Sequence, residues 1–126
     1  MGNISIDQLA NEIAKAVREY TEDVTAAIDR EVKSTVDKVL VETKRLARKR
    51  SGEYAKGFTK TDKSLPGNRR YVVWNRKHYR RVHLLEFGHA KVGGGRVQAY
   101  PHLRPAHDKY ADEMVDKIKR IIQSGG

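Results

Sequence analysis

The run His83-Leu84-Leu85-Glu86-Phe87-Gly88 lies at the centre of residues 69–105, and the rest of the chain is arranged around it. The run YVVWN at residues 71–75 comes before it and is aromatic and β-branched, which is typical of a strand. Within residues 78–87, apolar side chains recur three positions apart, so we expect a short helix that ends at Gly88.

Three further segments follow this centre. The glycines at 93–95 predict a flexible loop, and residues 96–102 predict an edge strand closed by Pro101. Pro105 suits the first turn of a final helix, where its missing N–H costs nothing. That helix shows apolar residues on one face and charges on the other, which predicts a helix docked on the surface of the fold.

The segment before the centre predicts one long amphipathic helix from Ile6 to Lys49. Apolar residues recur at steps of three and four, and Ser5 followed by Gln8 forms a capping box. Such a helix would be about 66 Å long, whereas a compact domain of this size is about 36 Å across. The helix therefore either breaks near the polar run at residues 20–24 or projects and packs on a neighbour.

Together these elements predict an α+β fold with a long N-terminal helix, a small antiparallel sheet, a short central helix and a C-terminal helix packed on the sheet. The sheet would join a weaker strand at residues 53–60 to residues 69–75 through the turn at 64–68. We expect a single domain over residues 1–126. It would comprise a helical arm (1–50), a sheet with the short helix (51–104) and the C-terminal helix (105–123).

Positive charge is concentrated in the middle of the chain. Residues 44–104 contain 17 Lys and Arg against 3 Asp and Glu, whereas residues 1–43 contain 5 against 9. Such a concentration attracts phosphates or an acidic protein surface, although it can also serve only as a solvated surface. The candidates for facing DNA or an acidic partner are Arg45, Arg48, Lys49, Arg50, Arg69, Arg70, Arg76, Lys77, Arg80 and Arg81.

Several kinds of chemistry are disfavoured by the residues themselves. Cysteine is absent, which removes disulfide and thiolate chemistry. No apolar run approaches the ~18 residues of a membrane span. The glycine loop lacks the Gly-Lys-Ser/Thr ending of a phosphate-binding loop, so nucleotide binding is rejected. We expect no cofactor.

His83, Glu86 and His89 have helical spacing, which raises the question of zinc. Phe87 occupies the position where a helical zinc pattern needs histidine, and Gly88 ends the helix before His89. A buried, hydrogen-bonded or interface role for His83 and Glu86 is the preferred interpretation.

A nuclease is a second chemical alternative, suggested by His102 and His107 with Arg104 between them. Residues 87–107 contain no Asp or Glu, which disfavours a metal-dependent nuclease. A small metal-free ribonuclease toxin remains open, because a base and cationic phosphate clamps would suffice. The side chains available for it are Tyr79, Arg80, Arg81 and His83.

The centre of the chain resembles a known family. The run from Tyr79 through His83–Gly88, a glycine-rich gap and then the segment from Pro101 to Ala106 are similar to the head–tail joining, or tail-completion, family of neck proteins of tailed bacteriophages. The resemblance covers residues 40–122. His89 stands where the family often has threonine or serine, and Leu103 stands where it often has an aromatic residue.

The resemblance implies a non-enzymatic virion assembly protein, made in the bacterial host cytoplasm and located at the neck. Its partners would be neighbouring copies in a ring, the phage connector and tail-tube proteins, and genomic DNA in the lumen, with no membrane. Leu84, Leu85 and Phe87 are expected to cover the sheet, and Glu86 to need a cationic partner. The motif residues at the interface or in the core are His83, Leu84, Leu85, Glu86, Phe87, Gly88, Pro101 and Pro105. The main alternative is a module that binds nucleic acid through its basic residues.

Overall fold

The N-terminal helix α1 runs without a break from Ile6 to Leu46 in the computed structural model, which describes residues 5–47 and 52–126. At 41 residues it is about 62 Å long. The Ser5 side chain accepts from the Gln8 backbone N–H and the Gln8 side chain accepts from the Ser5 N–H, so the predicted capping box is confirmed. The alternative of a break near residues 20–24 is wrong.

The helix continues through residues 20–24 because no residue there lacks a backbone N–H, and two side chains support it. Thr21 donates its hydroxyl to the Val17 carbonyl one turn back, at 2.8 Å. Tyr20 donates its hydroxyl to the Ile122 carbonyl in the last helix, at 2.7 Å. At the other end, α1 stops at Leu46 and Ala47 is extended (φ −62°, ψ 143°), three residues before the predicted end at Lys49.

The predicted hairpin is formed by β1 (Phe58–Asp62) and β2 (Tyr71–Asn75), which pair antiparallel with Phe58 opposite Asn75. The expected strand at residues 53–60 is wrong in its first half. Residues Glu53–Lys56 form a single helical turn, α2, which begins after Gly52 in the left-handed region (φ 79°). A strand there would have placed Tyr54 in the sheet, whereas α2 places it beside the core.

The short helix α3 (Tyr79–Phe87) confirms the predicted central helix. After it, β3 (His89–Ala90) and β4 (Arg96–Val97) form a second, very small antiparallel hairpin around the glycine loop. The expected edge strand at 96–102 therefore covers only its first two residues. The last helix, α4 (Leu103–Ser124), begins two residues before Pro105, which lies in its first turn.

The fold is α+β, and α1 is its central element. Most of α4 packs along α1, and both hairpin strands also contact α1. The first residue of α4, Leu103, packs with Val73 and Val82 against a small core around Phe58, which is 2% exposed. Residues 5–19 of α1 lie before the contact between Tyr20 and Ile122, extend beyond this packing and are exposed.

Candidate functional site

Glu86 lies at the junction between α3 and α4 and is 6% exposed. Its carboxylate accepts hydrogen bonds from the backbone N–H groups of His102 (2.7 Å), Leu103 (2.7 Å) and Arg104 (3.2 Å). These donors belong to the first turn of α4, whose N–H groups have no partner within the helix. A carboxylate from another helix thus caps α4 and compensates the positive end of its dipole.

The expectation that Glu86 needs a cationic side chain is therefore corrected. Its main partners are three peptide N–H groups, and the His102 ring lies farther away, with Nδ1 3.6 Å from a Glu86 oxygen. Three hydrogen bonds to a carboxylate satisfy a buried charge as a cation would. The motif around Glu86 therefore has a structural role, since it joins α3 to the start of α4, sixteen residues later.

His102 is the N-cap residue of α4 and is 1% exposed. Its Nδ1 lies 2.7 Å from the Tyr100 carbonyl oxygen, so Nδ1 carries the proton and donates. In the neutral ring, Nε2 then accepts the hydroxyl proton of Tyr54 across 2.7 Å. The rings of Tyr54, Phe58 and His102 meet edge to face, with centroids 5.2 to 5.5 Å apart.

Gly88 is required by the backbone at the end of α3. Its φ of 71° and ψ of 177° lie in a region that is open essentially to glycine alone. A Cβ atom on Gly88 would lie 2.5 Å from the Val97 carbonyl oxygen, so the close approach of the second hairpin also excludes a side chain. The residue does more than stop the helix, because it lets β4 pass directly over the end of α3.

The expectation that Leu84 and Phe87 cover the sheet is wrong. Phe87 is 65% exposed and Leu84 37% exposed, and only Leu85 is half-buried. His83 and Tyr79 are also exposed on this helix. Because α3 turns Glu86 inward to reach α4, Leu84 lies on the opposite side of the helix and Phe87 about 100° around it. His83 lies one turn before Glu86 and is nevertheless exposed. An exposed apolar face of this kind is a candidate contact surface.

The Tyr54 hydroxyl gives a pH prediction. Burial and then the charge of Glu86 raise the pKa of Tyr54 to about 12, from an ordinary value near 10. Below pH 10 the hydroxyl is protonated in both the folded and the unfolded chain. Between about pH 10 and 12 the unfolded chain loses this proton first, so stability falls in that window.

We therefore expect the wild-type protein to melt at a higher temperature than the Tyr54→Phe variant below pH 10. The difference between the two melting temperatures should shrink as the pH rises to about 12. The measurement is thermal unfolding of both proteins across that range. The exposed Tyr79→Phe variant is the matched control and should show no such window. A difference between wild type and Tyr54→Phe that stays constant with pH would contradict the prediction.

Four of the predicted cations lie together between β2 and α3. Arg76 and Lys77 occupy the turn, Arg80 and Arg81 the first turn of α3, and all four are exposed. The turn is held by Asn75, which is fully buried.

The Oδ1 atom of Asn75 accepts from the N–H groups of Lys77 (3.2 Å) and His78 (2.8 Å), and its Nδ2 donates to the Tyr54 carbonyl (2.8 Å). Asn75 was not among the predicted site residues, although an asparagine at the end of a strand is a recognised turn signal.

The other predicted cations are differently placed. The Arg45 guanidinium pairs with the buried carboxylate of Glu42. Arg45, together with Lys109, holds the pKa of Glu42 below its ordinary value. Arg69 pairs with Asp29 on α1 at 2.8 Å. Arg70 is exposed beside a groove between α1, β2 and α4. Arg48, Lys49 and Arg50 lie outside the described residues.

The arrangement bears on the chemical alternatives at one residue in particular, His102. His102 is buried with both ring nitrogens engaged, so it is not available as a base to an external RNA. Within residues 5–47 and 52–126, no group of three or more His, Asp or Glu side chains could hold a metal ion. None of the helices in that part of the chain is both long and apolar enough to cross a membrane.

Comparison with known proteins gives one finding. The family model described as "Bacteriophage HK97-gp10, putative tail-component" matches residues 11–88, more than half of the chain. No curated protein and no solved structure matches the chain significantly. The matched region runs from the projecting part of α1 through both strands of the first hairpin to Gly88, and it ends before Pro101. The chain therefore belongs to the bacteriophage HK97-gp10-like family.

Proposed function

We propose that the protein is a neck, or tail-completion, component that joins the tail of a phage to its DNA-filled head. In this role it is a non-enzymatic part of the virion, assembled in the host cytoplasm. Its partners are neighbouring copies of itself in a ring, the connector beneath the head and the tail-tube proteins. Genomic DNA passes through the lumen of the ring.

The observation that carries the proposal is the family match over residues 11–88, which includes the Glu86-Phe87-Gly88 core. The description of that family as a tail component gives a structural virion role, and the similarity of the motif to neck proteins suggests the position within the virion. Two features of the fold suit assembly. Residues 6–19 of α1 are exposed along their whole length, before the contact that Tyr20 makes with α4, and Phe87 is exposed.

The exposed cations at the β2–α3 turn supply the charge that a DNA channel or an acidic neighbouring protein would need. We refer to Arg76, Lys77, Arg80 and Arg81 as the turn patch. The sign of this patch suits phosphate, and its position on a turn held by buried Asn75 gives it a defined orientation.

The test is electron microscopy of lysates from a phage or prophage that carries a stop codon at Tyr71. We expect DNA-filled heads beside separate, complete tails, and joined particles again when the wild-type gene is supplied in trans. Joined particles without complementation would refute the neck role. Heads without any tails would instead indicate a role in tail formation.

A nucleic-acid-binding module is the second candidate, and the turn patch is the observation that favours it. Binding dominated by phosphate contacts should weaken with salt, with a log–log slope of about −0.9 for each phosphate neutralised. Changing Arg80 and Arg81 to glutamine should then reduce that slope. Free duplex DNA that does not bind at low salt would leave the neck role as the better account.

A further inference from the structure

The projecting part of α1 carries an apolar stripe that its own fold leaves uncovered. Ile6, Leu9, Ile13 and Val17 are 86%, 51%, 56% and 58% exposed. They recur at steps of three and four, so they share one face of the helix. Within the described residues, the tertiary hydrogen bond nearest to the N-terminus is the one that Tyr20 donates to Ile122. We call residues 6–19 the arm.

Charged side chains are distributed unevenly around the arm. Glu12 follows Leu9 by three residues and Glu19 follows Glu12 by seven, so both lie along one border of the apolar stripe. Lys15 lies two and a half turns after Ile6, on the opposite face, at about 3.6 residues per turn. Arg18 follows Val17 by one residue, so it lies about 100° around the helix from it. The arm thus carries three acids (Asp7, Glu12 and Glu19) against two bases, and two of the acids lie along one border of the stripe.

A groove of suitable chemistry lies elsewhere on the fold. It has a volume of about 750 Å³ and lies between α1, β2 and α4. Its floor is apolar and includes Val36, Val39, Val72, Ala111 and Met114. Its charged lining consists of Arg69, Arg70 and Arg104 against Asp108. Because Arg69 pairs with Asp29 and Arg104 with Asp108, the excess at the groove is the single positive charge of Arg70, opposite in sign to the excess on the arm.

The arm cannot reach the groove of its own chain. Val17 and Val32 lie on the same unbroken helix, fifteen residues and about 22 Å apart, and the arm points away from the groove. Folding the arm back would require breaking α1. The groove that receives an arm must therefore belong to another copy.

The accessible surface of the chain is larger than that of a compact monomer, which supports a contact with another molecule. Its accessible area is 9548 Å², whereas a compact monomer of 14.4 kDa would expose about 6,800 Å². The excess of about 2,700 Å² exceeds the roughly 1,600 Å² that a standard protein interface buries in total. A helix that covers a groove on a neighbour would remove part of this excess from both copies.

We propose that the arm of one copy docks in the groove between α1, β2 and α4 of a second copy. This inference rests on the proposed function and names the contact that links successive subunits. The contact joins two different surfaces, so each copy offers one arm and one groove. Repetition of such a head-to-tail contact generates a closed ring when the rotation between neighbours closes. Pairing of two arms is disfavoured, because it would bring two acidic segments together.

The test uses site-specific cross-linking of the purified, full-length protein, which has no native cysteine to interfere. One variant carries Ala10→Cys beside the stripe of the arm. A second, tagged variant carries Ala111→Cys in the groove. A short bis-maleimide reagent should link the two variants into a mixed dimer. A tagged variant with Val92→Cys in the exposed glycine loop is the matched control and should give no mixed dimer.

Adding Ile13→Asp to the arm variant should reduce the yield of mixed dimer by about tenfold or more, since an apolar contact becomes a buried charge. Lys15→Asp, on the opposite face of the arm, should leave the yield unchanged. Both sites are exposed, so circular dichroism should show an intact fold in both variants.

A mixed dimer that survives Ile13→Asp, or a yield no higher than with Val92→Cys, would overturn the proposal. Predominant linkage between two Ala10→Cys chains would replace it with pairing of arms. The neck role is tested separately by the stop codon at Tyr71. If the cross-link is specific but the stop codon at Tyr71 still gives joined particles, only the neck role is refuted. If the stop codon gives separate heads and tails but no specific cross-link forms, only the arm contact is refuted.

Discussion

Replacing Glu86 with alanine is expected to lower the free energy of unfolding by about 3 kcal/mol, because three N–H groups at the start of α4, that of His102 buried and the others partly buried, lose a charged acceptor. A hydrogen bond to a charged group contributes about 1.5–3 kcal/mol, and an alanine side chain offers these N–H groups no acceptor. The loss also removes the contact that joins α3 to α4. Urea unfolding followed by circular dichroism measures the effect.

Two variants make this result specific. Glu86→Gln keeps the size and one acceptor oxygen, so we expect it to lose about half as much stability as Glu86→Ala. Glu22→Ala removes an exposed carboxylate from α1 and should change stability by less than about 0.5 kcal/mol. If Glu86→Ala proved as stable as Glu22→Ala, the capping role would be wrong.

Replacing Phe58 with alanine is expected to cost about 4 kcal/mol, because the chain has a small core and this ring is its centre. Phe58 is 2% exposed and contacts the rings of Tyr54 and His102 edge to face. A cavity at this point would separate α2 from the start of α4, and neither segment is long enough to close it. Thermal and urea unfolding should both show the loss.

The chain provides its own control, since its other phenylalanine is exposed. Phe87→Ala removes an identical side chain that is 65% exposed, and we expect a change of less than about 1 kcal/mol. If Phe87 belongs to an assembly contact, this variant should fold normally and still impair particle assembly. Equal destabilisation by the two substitutions would contradict the observed core.

Elements with a clear local period were predictable from the sequence. The heptad-like spacing in α1, the β-branched run in β2 and the three-residue spacing in α3 each matched the element that formed. The turn at Glu53–Lys56 was not predictable in this way, because four residues are too few to show a helical period. For that reason Tyr54 was predicted to lie in a strand, whereas its hydroxyl contacts the His102 ring.

The partners of the central motif were less accessible to sequence reasoning. A carboxylate among apolar residues indicated burial, and Glu86 is buried. Its acceptance of three N–H groups depends on where α4 begins, sixteen residues later, which no local pattern specifies. Similarly, a cluster of cations gave no sign that Arg69 pairs with Asp29, because these residues are forty positions apart and meet only in the folded chain. The pair of Arg45 with Glu42 was accessible, because the two residues are three positions apart on one helix.

The uninterrupted course of α1 has a mechanical consequence. Since one helix forms both the arm and one wall of the core, no joint separates them, and the arm behaves as a lever. From Val24 to Ile6 the lever is about 27 Å long, so tilting the core by about 10° would sweep its tip through about 5 Å. A small change in the orientation of the core is therefore transmitted to the tip of the arm as a larger displacement, and it reaches the surface that holds the tip.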